Sequence, residues 1–155
     1  MKKVFRAIAV AAGIAALIAT SAGAGVAKKA AGGDVCVLLP DTATSIRWVH
    51  YDTPALKAAF AKAGVSAQFY NADDDAQKQK SQANQCLSSG AKVLIEVALD
   101  AGSASAIEKQ AKSQGVPSID YDRQVKGGVA SIYVSFDGKK VGDGKPGPIA
   151  KKRSY

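Results

Sequence analysis

The sequence predicts a three-layer α/β domain built on an open parallel sheet. Three observations predict it. Short β-prone runs recur along the chain, stretches of helical periodicity separate the first four of them, and each of those stretches ends at a glycine, Gly64, Gly90 or Gly115. Alternation of this kind gives parallel strands covered on both faces by right-handed crossover helices.

The chain opens on "MKKVFRAIAVAAGIAALIATSAGAG": Lys2, Lys3 and Arg6, an apolar run from Ala7 to Ala19, then small residues ending in Ala22-Gly23-Ala24. This is the layout of a cleavable secretory signal, expected to occupy 1–24 with cleavage after Ala24. The run is short and alanine-rich for a membrane span, and nothing later is apolar for long enough, so a soluble exported protein is expected. No cysteine closely follows the run, which gives a lipid anchor no support. A linker over 25–33 then leads to a domain at 34–137. Its strands are expected at "DVCVLL" (Asp34 to Leu39), "SAQFYN" (Ser66 to Asn71), "KVLIEVAL" (Lys92 to Leu99), "SIDY" (Ser118 to Tyr121) and "SIYVSF" (Ser131 to Phe136). Helices are expected at Pro54 to Ala63, Ala76 to Ser89 and Ser103 to Gln114. The remainder, 138–155, has glycine, proline and lysine without helical periodicity and reads as a basic, disordered tail.

The formal charge of +8 dissolves on inspection. The leader carries +3, residues 138–155 carry six basic and one acidic residue, and residues 25–137 hold twelve of each sign. A nucleic-acid binder gathers basic residues on its folded surface, so no nucleic-acid partner is expected.

Ligands of open parallel sheets sit beyond the carboxyl ends of the strands, which sorts the loops. The first holds Asp41, Arg47 and Trp48; the second Asn71 and Asp73 to Asp75; the third Asp100 and Ser103; the fourth Asp120 to Arg123. Asp122 and Arg123 set an acceptor-only carboxylate beside a fork of donors, a combination suited to adjacent hydroxyls. Trp48, in the same polar loop as Arg47, either packs back on the fold or offers its face to the C–H side of a sugar ring.

Other signals have simpler readings. Asp73 to Asp75 precede a helix and suit its cap and dipole better than a metal. "GSAS" (Gly102 to Ser105) lacks the glycine spacing of a phosphate loop. His50 is the only histidine and has no nucleophile or metal-type partner nearby. With neither a nucleophile–base pair nor a cofactor fingerprint, no enzyme, cofactor or metal is expected.

The stretches "VLLPDTATSIRW", "NADDDAQKQKSQANQC", "GAKVLIEVALDAGSASAIEKQAK", "GVPSIDYDR" and "YVSFDGKKVG" resemble the amino-terminal lobe of periplasmic sugar-binding proteins of the xylose/ribose type, the substrate-binding components of sugar ABC importers. The resemblance covers roughly Asp34 to Gly142. It implies a single lobe of a type I periplasmic-binding-protein fold with the flavodoxin-like strand order 2-1-3-4-5. It also implies sugar contacts from Arg47, Trp48, Asp122, Arg123 and Asp100, a pentose or hexose as ligand, closure about a hinge, a membrane permease as partner, and a periplasmic or extracellular location. Family members continue into a second lobe where this sequence turns to its basic tail. A truncated member is therefore expected, with a non-functional fragment or a small flavodoxin-like enzyme as alternatives. Two consequences follow. The "SIYVSF" strand should be an uncovered edge. The helix holding Cys86 should cross the strand holding Cys36, which allows a disulfide in an exported protein, two buried thiols being the alternative.

Overall fold

The computed structural model describes residues 33–41, 45–144 and 148–152, the last as backbone. The leader and most of the expected linker lie outside the described residues.

The first strand explains the layering. Every residue of β1 (Val35–Leu39) is buried, and successive side chains leave on opposite faces. Val35, Val37 and Leu39 join Trp48, Ile95 and Val97 on one face, while Cys36 and Leu38 join Ala83, Leu94 and Ile107 on the other. A strand that is apolar on both faces must be covered twice, and it is. Leu56 and Phe60 of α1 (Thr53–Lys62) pack on the first cluster; α2 (Ala76–Ser89) and α3 (Ala101–Ser113) build the second.

The five expected strands form as β1, β2 (Ala67–Asn71), β3 (Val93–Glu96), β4 (Ser118–Tyr121) and β5 (Ile132–Phe136), all parallel and in the order 2-1-3-4-5. In register, Val37 lies between Phe69 and Ile95. Helix starts follow the acidic caps. Asp75 accepts from the Gln77 and Lys78 amides to open α2, and Asp100 accepts from Gly102 and Ser103 to open α3. Asp100 thus starts α3 at Ala101, ahead of the expected Ser103. Gly90, at φ 86°, closes α2 in a conformation that would strain a side chain.

Three expectations need correction. Arg47 and Trp48 are not in an irregular loop: Arg47 precedes a π-helical turn, Trp48–Asp52, that runs into α1. Segment 138–155 is not without regular structure. Asp137 caps a short helix, α4 (Gly138–Gly142), and β6 (Pro148–Lys152) pairs antiparallel with β5. For the same reason β5 is not an edge, since it lies between β4 and β6. A stretch that lacks periodicity can still close a sheet edge, because backbone pairing needs no side-chain pattern.

Cys86 of α2 lies over Cys36 of β1 with their Cα atoms 6.1 Å apart, and the two sulfurs are joined. Among the described residues no helix is long and apolar enough to cross a membrane.

Candidate functional site

Four of the five residues expected to meet a sugar come together beyond the carboxyl ends of β1 and β4. The π-helical turn after β1 brings Arg47 back across the strand ends. Its guanidinium donates from Nε to Asp52 Oδ2 at 2.8 Å, from Nη2 to Asp52 Oδ1 at 3.3 Å, and from Nη1 to Asp122 Oδ1 at 2.7 Å. Tyr121, the last residue of β4, donates its hydroxyl to Asp52 Oδ1 at 2.5 Å. Asp122 adopts φ 66°, a left-handed backbone that aspartate tolerates better than most residues and that turns the chain sharply after β4. The Tyr133 and Ser135 hydroxyls of β5 both donate to its carbonyl, which holds that turn in place.

Trp48 is the floor of this arrangement. Its ring is 2% exposed and packs with Val37, Leu39, Ile95 and Val97. The Arg47 guanidinium lies 4.5 Å from the ring centroid and that of Arg123 lies 5.9 Å from it. Cation–π contact of this kind attracts a guanidinium to the ring face. Of the two sequence readings, Trp48 packs back on the fold and presents no open face to a sugar; it carries two cations. Exposed Arg123 is anchored by Nη1 donating to the Ala98 carbonyl at 2.9 Å, beyond the end of β3.

Asp100 stands apart, its carboxylate bound to the amides that open α3 and to the Ser103 hydroxyl. Those bonds, the one from the Ser103 side chain first, hold its pKa below the usual carboxylate range. Asp73 pairs with Lys78 and Asp75 caps α2, as a helix-start reading expects. Among the described residues no acidic, histidine or cysteine group is arranged to hold a metal. His50 is exposed on the π-helical turn.

Charge in the site is balanced locally. Burial opposes the charge on Arg47, but the hydrogen bonds it donates to Asp52 and then to Asp122 outweigh it and raise its pKa, so Arg47 remains a cation. Burial, followed by the bond to Asp52, pushes the Tyr121 hydroxyl up to about 12, so it stays a neutral donor. The sequence reasoning missed Asp52 and Tyr121. The signal was present in "RWVHYD", with an acid five residues after an arginine, but a loop reading gives that spacing no meaning.

Beneath the strand ends lies a second polar group. Glu96 of β3 and Asp120 of β4 are register partners, Glu108 of α3 joins them, and all three are at most 1% exposed. Asp120 Oδ2 accepts from the Val125 amide at 2.9 Å, and Glu108 Oε2 accepts from the amides of Val129 and of Ala130, the latter at 2.6 Å. These bonds suspend the 125–130 loop, which follows Arg123. Neither Glu96 oxygen has a hydrogen-bond partner among the described residues.

Residues 35–144 match the periplasmic binding protein domain family. The chain belongs to that family. It is 33% identical over 111 residues to the multiple sugar-binding periplasmic receptor ChvE of Rhizobium radiobacter, covering 71% of this chain and 31% of the relative. The D-xylose-binding periplasmic protein of Escherichia coli K12 is 29% identical over 80 residues, which is 52% of this chain and 24% of that one. Among solved structures, an ABC transporter solute-binding protein of Clostridium phytofermentans with bound β-D-glucose superposes with a TM-score of 0.64 at 30% identity, over 70% of this chain and 33% of the other. A Caulobacter myo-inositol binding protein bound to myo-inositol gives a TM-score of 0.62 at 28% identity, over 71% and 37%. The periplasmic-binding-protein resemblance read from the sequence therefore stands, as does its fold class, and these relatives are named as binding proteins rather than enzymes. The chain spans about a third of the length of the curated relatives it matches.

Proposed function

We propose that this chain is a sugar-binding lobe of an ABC importer's substrate-binding component, taking a pentose or hexose through Arg47, Asp122 and Arg123. The supporting observation is the convergence of those residues from the ends of β1 and β4 in a family whose named relatives bind sugars. The Arg47 guanidinium, bound to Asp52 and Asp122, sets charged donors beside the Asp122 carboxylate, the pairing of donor and acceptor that suits adjacent hydroxyls. In this reading Trp48 carries the two guanidiniums from below, and Asp100 serves α3 rather than the ligand. Xylose is a reasonable first ligand because two of the relatives are D-xylose-binding periplasmic proteins. Export through the leader at 1–24, a periplasmic or extracellular location and a membrane permease as partner belong to the same reading.

A single lobe leaves one side of a sugar in water, where each hydrogen bond contributes only about 0.5–1.5 kcal/mol net. The cost of immobilising the ligand, several kcal/mol, stands against that. The expected dissociation constant of this chain alone is about 1 mM or weaker. Trp48 is the only tryptophan and touches both arginines, so its fluorescence during titration with D-xylose, D-glucose and other monosaccharides reports on the site. A saturable change that Arg123→Ala removes supports the reading. A flat response to the whole panel favours the non-functional fragment instead.

A further inference from the structure

We propose that Asp52, held by Tyr121, is the positioning residue that sets Arg47 for the sugar. The inference rests on the proposed sugar-binding function and deepens it.

A guanidinium on a flexible stem must lose side-chain freedom before it can present donors in a fixed direction. Asp52 removes that freedom before any ligand arrives. It takes Nε and Nη2 along one edge of the fork, so the rotation of the Arg47 plane is set by a carboxylate and not by the ligand. Asp52 is itself immobile: its side chain is 9% exposed, it closes the π-helical turn, and its Oδ1 receives the Tyr121 hydroxyl. The turn is tied down independently, by the Thr53 hydroxyl and amide, which both donate to the Trp48 carbonyl.

The chain of support therefore runs from β4 through Tyr121 and Asp52 to Arg47, joining the strand that leads into Asp122 to the turn that follows Arg47. A π-helical turn makes this possible by geometry. Its wider winding brings residues five apart to the same side, which is the separation of Arg47 from Asp52. Asp122 alone would not suffice, because a single bond to Nη1 leaves the fork free to swing about that contact.

The test uses the full chain with D-xylose and D-glucose as probes, read by Trp48 fluorescence and by the 15N–1H signal of Arg47 Nε. Asp52→Asn keeps the side-chain size but removes the charge; it should weaken sugar binding about tenfold and shift the Arg47 Nε–H signal towards that of a free arginine. Tyr121→Phe keeps the ring and the packing, so it remains informative where Asp52→Asn folds poorly, and should weaken binding about threefold with a smaller shift of the same signal. In an Arg47→Ala background neither substitution should change binding further, a non-additivity that a general loss of stability would not produce. Full sugar affinity in folded Asp52→Asn and Tyr121→Phe, or effects that persist without Arg47, would overturn the positioning role while leaving the sugar reading intact. A wild-type chain that answers to no sugar overturns both.

Discussion

Replacing Glu96 by methionine should stabilise the protein, and by more as the pH rises. Glu96 is 1% exposed with no partner for either oxygen among the described residues, and it faces Glu108, Asp120 and Asp100. Burial first, then those three carboxyls, raises its pKa well above 4.5. The folded state therefore holds a proton that the unfolded chain releases above pH 4.5, so the Glu96 contribution to stability is fullest below that value and declines as pH rises toward the folded pKa. Each such proton costs about 1.4 kcal/mol per pH unit across the window. Glu108 adds a second, bounded window. Burial, then its hydrogen bond and repulsion with Asp120, lifts it to about 7, while the Val129 and Ala130 amides act the other way. Between 4.5 and about 7 it removes at most about 3.5 kcal/mol. Methionine matches the unbranched shape of glutamate, leaves no polar atom unpaired and removes one of the two titrations. Its advantage over wild type should therefore grow by about 1.4 kcal/mol per pH unit for as long as the folded Glu96 would have kept its proton. Urea denaturation of both proteins from about pH 5 to about pH 8 measures this directly. Parallel stability curves, or a destabilised Glu96→Met, would refute the argument that an unpartnered, protonated carboxyl sits in this core.

Three further outcomes are expected. Ellman titration of the unreduced, denatured protein should find no free thiol, and reduction of the Cys36–Cys86 bridge should lower stability by about 2–4 kcal/mol; two free thiols would contradict the pairing. Gly128→Ala should cost about 1–3 kcal/mol, because the added Cβ would overlap the Glu108 carboxylate where it grips the 125–130 loop, and an unchanged melting temperature would show that the loop can move away. Deleting residues 144–155 removes β6 and uncovers the side of β5 that it pairs, so sedimentation should show self-association absent from the full chain.

How much was legible in the sequence depended on how local the cause was. The two-sided apolar pattern of "VCVLL" and the glycines that close the helical stretches mark strands and helices, and their alternation calls for a parallel sheet, while the order 2-1-3-4-5 is what the family resemblance implies. Asp75 and Asp100 determine where α2 and α3 begin, since a cap acts on amides two and three residues away. The same locality gives Asp100 a role that its place after β3 did not suggest, since the nearest amides donate to its carboxylate. Only the tertiary structure decided what depends on distant partners. Whether Trp48 faces water or core rests on Val37, Ile95 and Val97 meeting it from β1 and β3. The bonds from Arg47 to Asp122 and from Tyr121 to Asp52 span 75 and 69 residues. The pairing of β6 with β5 is made by backbone groups that every residue type carries, so no side-chain pattern announces it. The Glu96, Glu108 and Asp120 cluster is assembled from two strands and a helix, and in sequence its members read as ordinary charges because burial is a property of the fold.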